Sequence, residues 1–208
     1  AQRERDGRDI EPQERLDPYA YWTKNQDSLK KELADLNAIK EPAKLAERIR
    51  KLHRDGVQGK PTKEVQLLVL HEALPLAGRV GESFAIELLQ VVPAALALGP
   101  ATNAPEPADL PRKQGELLER ALQVAGNYDR GDQVKKLVDE FSELLHSKAE
   151  EPRFKLINIV AGQCLRSLKK LGLRDEMDRF LARLRTEVLR GATTAELKKK
   201  YASKPEMW

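Results

Sequence analysis

The sequence predicts an all-α fold of stacked antiparallel helix hairpins. Three observations lead to this prediction: the composition, the prolines and glycines at the expected helix ends, and an internal repeat. The chain of 208 residues holds 31 Leu and 23 Ala against 11 Val, 6 Ile and 6 Thr, so unbranched helix formers far outnumber β-branched residues. Apolar residues recur every three or four positions, which is typical of amphipathic helices. We expect about eight main helices and a short C-terminal helix, arranged as a short right-handed α-solenoid.

The N-terminal part begins with a polar tail and continues with a pair of helices. Residues 1–14 are almost entirely charged or polar and cannot build a packed element. Asp17 and Pro18 form a cap followed by a first-turn proline and begin the first helix. Pro42 begins the second helix, which is expected to end before Gly56.

Two strongly apolar helices follow, predicted over Thr62–Gly78 and Glu82–Leu98. Apolar residues occupy more than one side of each, so we expect both to be buried at the centre of the stack. Pro75 and Pro93 lie inside these helices and each removes a backbone hydrogen bond. Each proline is therefore expected to kink or end its helix.

A proline-rich segment separates these helices from a more regular C-terminal part. Periodicity then predicts four amphipathic helices, at about Arg112–Ala125, Asp132–His146, Pro152–Leu171 and Asp175–Arg190. Single glycines are expected to mark their ends, at Gly126, Gly131, Gly172 and Gly191. A Thr-Thr cap begins a short basic helix, Thr194–Tyr201. The predicted organisation is a tail (1–14), N-terminal helix pairs (15–98), a linker (99–111), helix-hairpin repeats (112–191) and a short basic helix with a tail (192–208).

The last two helix pairs are related by a shift of 43 residues. The shift superposes residues of similar polarity and size at the same positions of their helices. Asp175 falls on Asp132, Phe180 on Leu137, Leu184 on Phe141 and Cys164 on Ala121. A further shift of 50 residues gives a looser match with the two apolar helices. Each hairpin has an apolar face too wide to bury within itself, so the hairpins are expected to stack. The alternative is chance, because Leu recurs every three or four residues in any amphipathic helix.

Small residues accumulate toward the end of the predicted helix Arg112–Ala125. Ala121, Ala125, Gly126 and Tyr128, followed by a turn and an aliphatic second helix, resemble the packing and turn of a tetratricopeptide hairpin. The spacing of 43 to 50 residues departs from the 34 of that repeat, whose Trp, Gly and Pro signature is incomplete here, and is nearer to the HEAT type. This resemblance to α-solenoid families is architectural and covers roughly residues 62–190. It implies a role in binding or scaffolding without catalytic residues.

Residues with catalytic or metal-binding chemistry do not group in the sequence. None of the histidines, His53, His71 and His146, has a second His or Cys three or four positions further along its helix. We interpret His71 as a partly buried helix residue whose ring bonds to a backbone carbonyl. Cys164, the single cysteine, excludes an internal disulfide and is interpreted as a small buried hydrophobic side chain. Glycine-rich phosphate loops and Gly-x-Ser-x-Gly motifs are absent, so we expect neither an enzyme nor a cofactor.

The basic excess lies in the last fifth of the chain. Residues 1–164 hold 25 Lys and Arg against 27 Asp and Glu, whereas residues 165–208 hold 12 against 6. The candidate partner-binding or anion-binding face, here called the basic set, comprises Arg166, Lys169, Lys170, Arg179, Arg183, Lys198, Lys199 and Lys200. Such residues can meet phosphates of nucleic acid, anionic lipid or an acidic protein. The other interpretation, which we favour, is a solvated helix face interleaved with acidic residues.

The function predicted from these observations is a non-enzymatic protein-protein interaction or scaffolding module, an α-solenoid segment of a larger protein with a protein or peptide partner. The alternative is binding of nucleic acid or an anionic membrane surface through the basic set. The longest nearly uncharged stretch, Leu88–Ala101, is interrupted by Pro93 and falls short of the roughly 20 residues that cross a bilayer. No transmembrane segment is therefore expected. We expect a cytoplasmic protein, with export after removal of a leader as the alternative.

Overall fold

The computed structural model describes residues 26–56, 63–97 and 107–190, and within these ranges the chain forms helices and contains no strand. The helices are α1 (Gln26–Ala38), α2 (Pro42–Asp55), α3 (Lys63–Ala73), α4 (Ala77–Val80), α5 (Glu82–Leu96), α6 (Leu110–Asn127), α7 (Gly131–Ser147), α8 (Glu150–Lys170) and α9 (Arg174–Leu189). The predicted all-α class is confirmed. The predicted N-terminal tail, most of the linker and the short basic helix lie outside the described residues.

The predicted third helix is interrupted at Pro75, as expected. Helix α3 ends at Ala73, a 3₁₀ turn spans Leu74–Leu76 and α4 continues as a single turn. Proline has no N–H for the helical hydrogen bond, which explains the break. Gly81 follows α4 with a φ of 131°, a conformation that residues with a side chain rarely adopt.

The buried positions of α3 lie all around the helix, as expected, whereas those of α5 lie on one side of it. Their buried apolar residues are at most 4% exposed and include Val65, Leu67, Val69, Leu70, Phe84, Ala85, Leu88, Leu89 and Val92. Helix α5 continues through Pro93 and ends one turn later at Leu96. Among the helices that the structure describes, none is long and apolar enough to cross a membrane, and this includes α3 and α5.

Glycines end two of the helices where the sequence predicts it. Gly56 and Gly172 follow α2 and α8 with φ values of 69° and 68°, in the left-handed region that glycine adopts at low cost. Gly126, in contrast, lies buried in the last turn of α6, and Gly131 is the first residue of α7. These two glycines are therefore not C-terminal caps; the chain between α6 and α7 instead turns at Asp129, whose φ is 52°.

Each helix packs mainly on the helices one or two positions away along the chain, when α3 and α4 are counted as one broken helix. Helix α6 contacts α3, α5, α7 and α8, and α9 contacts α7 and α8. The most extensive contact joins α6 and α8. The buried residues form one continuous hydrophobic cluster from Leu29 on α1 to Phe180 on α9.

Small side chains allow α6 and α8 to approach closely. A Cβ atom added to Gly115 would lie 3.2 Å from Cγ2 of Ile159. A Cβ atom added to Gly126 would lie 3.4 Å from Oγ of Ser167. Interior packing of this density leaves no room for an added methyl group at Gly115 unless a neighbour moves.

Candidate interaction surface

The described part of the basic set is divided between α8 and α9. On α8, Arg166 donates from Nε and Nη2 to Oε1 of Gln163, at 3.0 and 2.8 Å. Nζ of Lys170 donates to the carbonyl oxygen of Gly126 at 2.6 Å. Lys169 is exposed. Two of these three cations are thus engaged with groups of their own chain.

On α9, the two arginines of the basic set pair with carboxylates. Nη2 of Arg179 donates to Oε1 of Glu176 at 2.9 Å, and Nη1 of Arg183 donates to Oδ1 of Asp139 on α7 at 2.5 Å. Both arginines are thus paired within their own chain. Lys198, Lys199 and Lys200 lie outside the described residues, and an anion-binding role for the whole set stays a prediction.

A cavity of about 280 Å³ opens between α7 and α9, and we call it the α7–α9 groove. Its apolar lining consists of Leu145, Phe180 and Leu184. Phe180 is 2% exposed, and its ring centroid lies 6.0 Å from that of Phe141. The polar lining consists of Ser142, Glu143, His146, Arg183, Thr186 and Glu187. The groove therefore combines an apolar floor with side chains that carry either charge.

A buried carboxylate holds the two walls of the groove together. Oε1 of Glu187 lies 3.1 Å from Nδ1 of His146, and Oε2 lies 3.2 Å from Nη1 of Arg190. The guanidinium of Arg190 also donates to the carbonyl oxygens of Leu145, His146 and Lys148, at 3.2, 2.7 and 2.7 Å. These bonds attach the end of α9 to the end of α7, and so they define the width of the groove.

Local sequence spacing does not reveal the two groups that contact the His146 ring. Glu187 and Arg190 are 41 and 44 residues away from His146 in the chain. The predicted shift of 43 residues is a signal for them, because both separations lie within two residues of it. Residues about one shift apart are candidates for contact when hairpins stack.

His71 lies in a second polar cluster, between α3 and α6. Its Nδ1 lies 2.7 Å from Oε1 of Glu72, and its Nε2 lies 2.9 Å from Oε2 of Glu116. Arg120 donates to the backbone carbonyl of His71. The interpretation that the ring bonds to a backbone carbonyl is therefore wrong, because Glu116, 45 residues away, reaches the ring instead. Both ring nitrogens are engaged with carboxylates, and this arrangement leaves neither for a substrate.

The pKa values of the carboxyl groups around His71 are lowered by their neighbours. The hydrogen bond with His71 lowers the pKa of Glu72. Burial alone would raise the pKa of Glu116, but Lys113, His71 and Arg112 together lower it below its ordinary value. The cluster is thus an ion-pair network that joins α3 to α6.

Cys164 is fully buried, and burial raises the pKa of its thiol far above the ordinary value. The protonated thiol is a poor nucleophile, so the interpretation as a small buried hydrophobic side chain is confirmed. Among residues 26–56, 63–97 and 107–190, no three His, Cys, Asp or Glu side chains are grouped closely enough to hold a metal ion.

Another cavity, of about 380 Å³, lies where the helix breaks at Pro75 and faces α6. Arg120 and Tyr128 belong to its lining, and a Cβ atom added to Gly78 would lie 3.9 Å from the Tyr128 hydroxyl oxygen. Arg120 is the charged side chain of this lining, and it also contacts His71 and Glu72.

Comparison with known proteins gives one informative result. A protein-family model described as a domain of unknown function (DUF8586) matches residues 5–202 of the chain. No curated protein and no solved structure matches it. The family match extends over all of the described helices.

Proposed function

The chain belongs to the DUF8586 family, and from its own residues we propose that it is a non-enzymatic protein-interaction module of the α-solenoid type. The order of helix packing supports this proposal. Each helix contacts the helices one or two positions away along the chain, counting α3 and α4 together. Contacts restricted to near neighbours are typical of stacked hairpin repeats, which present extended surfaces to other proteins.

The spacing of polar contacts supports the repeat. Between α7 and α9, Arg183 pairs with Asp139 across 44 residues. Between α6 and α8, Lys170 reaches the carbonyl of Gly126 across 44 residues. Both intervals lie next to the sequence shift of 43 residues. One hairpin earlier, Arg130 pairs with Glu82 across 48 residues, close to the looser shift of 50.

The observation that carries the proposal is the α7–α9 groove. Its apolar lining includes the half-buried Leu184 beside the buried Leu145 and Phe180. The bonds of Glu187 and Arg190 hold α7 and α9 together at this groove. A preformed concave site of this kind lowers the cost of ordering on binding. We propose that a peptide segment of a partner protein inserts an apolar side chain there, with the polar rim fixing its orientation.

A substitution that fills the groove tests this function. Ser142 is half-buried and lines the cavity, so S142W is expected to occupy it. Lys136 is exposed on the same helix and does not line the cavity, so K136W is the matched control. Circular dichroism and urea unfolding establish that both variants are folded.

Immobilised wild type, S142W and K136W are then exposed to an extract of the source cells, and the retained proteins are identified. The proposal expects a protein that wild type and K136W retain and S142W does not. With that protein purified, S142W should raise the Kd at least tenfold. If all three chains retain the same proteins equally, the proposed site is wrong.

A further inference from the structure

The outer face of α9, defined by Arg174, Asp178, Leu181, Arg185 and Leu189, is exposed to solvent. Leu181 is 42% and Leu189 41% exposed, and among the described residues these are the exposed large hydrophobic side chains. The five residues are spaced by four, three, four and four positions, so they line one side of the helix. This side differs from the one that carries Phe180 and Glu187 toward the groove.

The position of the preceding second helix that corresponds to Leu181 is covered. The shift of 43 residues places Leu181 on Val138, which is 5% exposed, and Leu189 on His146, which is exposed. Val138 lies on α7, on which both α8 and α9 pack. In the described part of the chain no helix follows α9, and Leu181 stays exposed.

Two of the three charges of the outer face can pair with each other between two copies of the helix. Asp178 and Arg185 are both exposed, and within the described residues neither forms an ion pair. They are seven residues, or about 10.5 Å, apart along the helix. The midpoint between them falls between Leu181 and Ala182, a large and a small side chain.

Self-complementarity requires an antiparallel arrangement. If a two-fold axis passes between Leu181 and Ala182, Asp178 of each copy lies opposite Arg185 of the other. Leu181 then lies opposite Ala182, and Leu189 lies opposite Arg174. A parallel arrangement would instead bring Asp178 against Asp178 and Arg185 against Arg185, which repel. The face carries both signs of charge, so it suits neither a uniformly anionic ligand such as nucleic acid nor a strongly acidic helix.

We propose that the outer face of α9 binds the same face of a second copy of this chain, as an antiparallel helix pair with two-fold symmetry. Such isologous contacts are the commonest route to homodimers. A helix of 16 residues is about 24 Å long, so the contact is smaller than a standard interface. We therefore expect a reversible dimer with a Kd of about 10–100 μM. The surface is separate from the α7–α9 groove, and the proposal does not rest on the proposed function.

Charge reversal tests the pairing. Sedimentation velocity of the full chain should show the 23.5 kDa monomer giving way to a particle of twice that mass as the concentration rises. D178R and R185D should each raise the dimer Kd at least tenfold, because like charges then face each other. An equimolar mixture of the two variants should restore association, because opposite charges face each other again. A variant that does not fold would not associate again on mixing, so the restored association also shows that both variants are folded.

Disulfide formation tests the register. Under mild oxidation, a mixture of D178C and R185C should give a disulfide-linked dimer, whereas either variant alone should give much less. R179C, exposed on α9 but outside this face, is the matched control. The native Cys164 is buried and does not compete. The proposal is overturned by a wild type that stays monomeric at 500 μM, by association insensitive to both charge reversals, or by equal cross-linking of R179C. Slow labelling of L181C at dilutions where the chain is monomeric would also overturn it, since another segment of the chain would then cover the face.

Discussion

Arg190 caps the end of α7 from the end of α9, because its Nη1 donates to the carbonyl oxygen of His146 and its Nη2 to that of Lys148, each at 2.7 Å. The last carbonyls of a helix have no partner within the helix and attract positive charge. Arg120 on α6 makes a similar contact with α3, where it donates to the carbonyl of His71 in the last turn. Arg190 and Arg120 thus each donate to carbonyl oxygens at the C-terminal end of an earlier helix.

Removal of this cap should destabilise the C-terminal hairpins. We expect R190A to lower the free energy of unfolding by about 1–2 kcal/mol, because hydrogen bonds from a charged donor are lost and Glu187 loses a cation. R190K should recover part of this loss, since lysine keeps the charge but not the planar fork. Urea unfolding monitored by circular dichroism measures both. Equal stability of R190A and wild type would contradict the capping role.

The close approach of α6 and α8 should make Gly115 intolerant of a methyl group. The added Cβ would lie 3.2 Å from Ile159, so G115A is expected to cost about 1–3 kcal/mol through overpacking. Gly162 is the matched control, because it is exposed on α8 and its Cβ would meet only the flexible end of Arg166, at 3.4 Å. G162A should stabilise the protein by about 0.5–1 kcal/mol through helix propensity. Thermal unfolding of the two variants should shift in opposite directions.

The buried thiol should report on unfolding. Because burial raises the pKa of Cys164 and blocks access to it, the native protein should not react with a disulfide reagent such as DTNB at pH 8. One thiol per chain should become reactive in urea, with the same midpoint as the change in circular dichroism. Rapid labelling of the native chain would show that α8 does not bury this residue.

The cluster around His71 should make stability depend on acid pH. The pKa values of Glu72 and Glu116 are lowered from the ordinary 4.5 in the folded state, so the unfolded chain binds more protons near that pH. The stabilisation is present at neutral pH and is lost as the pH falls through about 5 and below. E72Q/E116Q should be less stable than wild type at pH 7 and lose less stability between pH 6 and 3. E47Q, at an exposed glutamate on α2, should follow the wild-type profile.

Much of the fold follows from local rules. Pro75 ends α3 and Gly172 follows α8 because their backbone chemistry restricts or permits conformations regardless of tertiary context. The burial of Val65 and Phe84 follows from apolar periodicity. Gly126 departs from its expected role because tertiary packing uses its lack of a side chain for contact with α8, not for a turn.

The electrostatic part of the candidate surface did not follow from local rules. His71 meets Glu116 across 45 residues, and His146 meets Glu187 across 41. The amphipathic pattern indicates which side of each helix is buried, but not the rotation and offset at which two helices meet. A change of one residue in offset moves a side chain by 1.5 Å along the axis and 100° around it, enough to exchange its ion-pair partner. The close contact of Gly115 with Ile159 settles that offset for α6 and α8. The sequence thus determines the helices and their apolar faces. Charge pairing and the groove were decided by the tertiary structure, because only helix packing sets the distances between residues far apart in the chain.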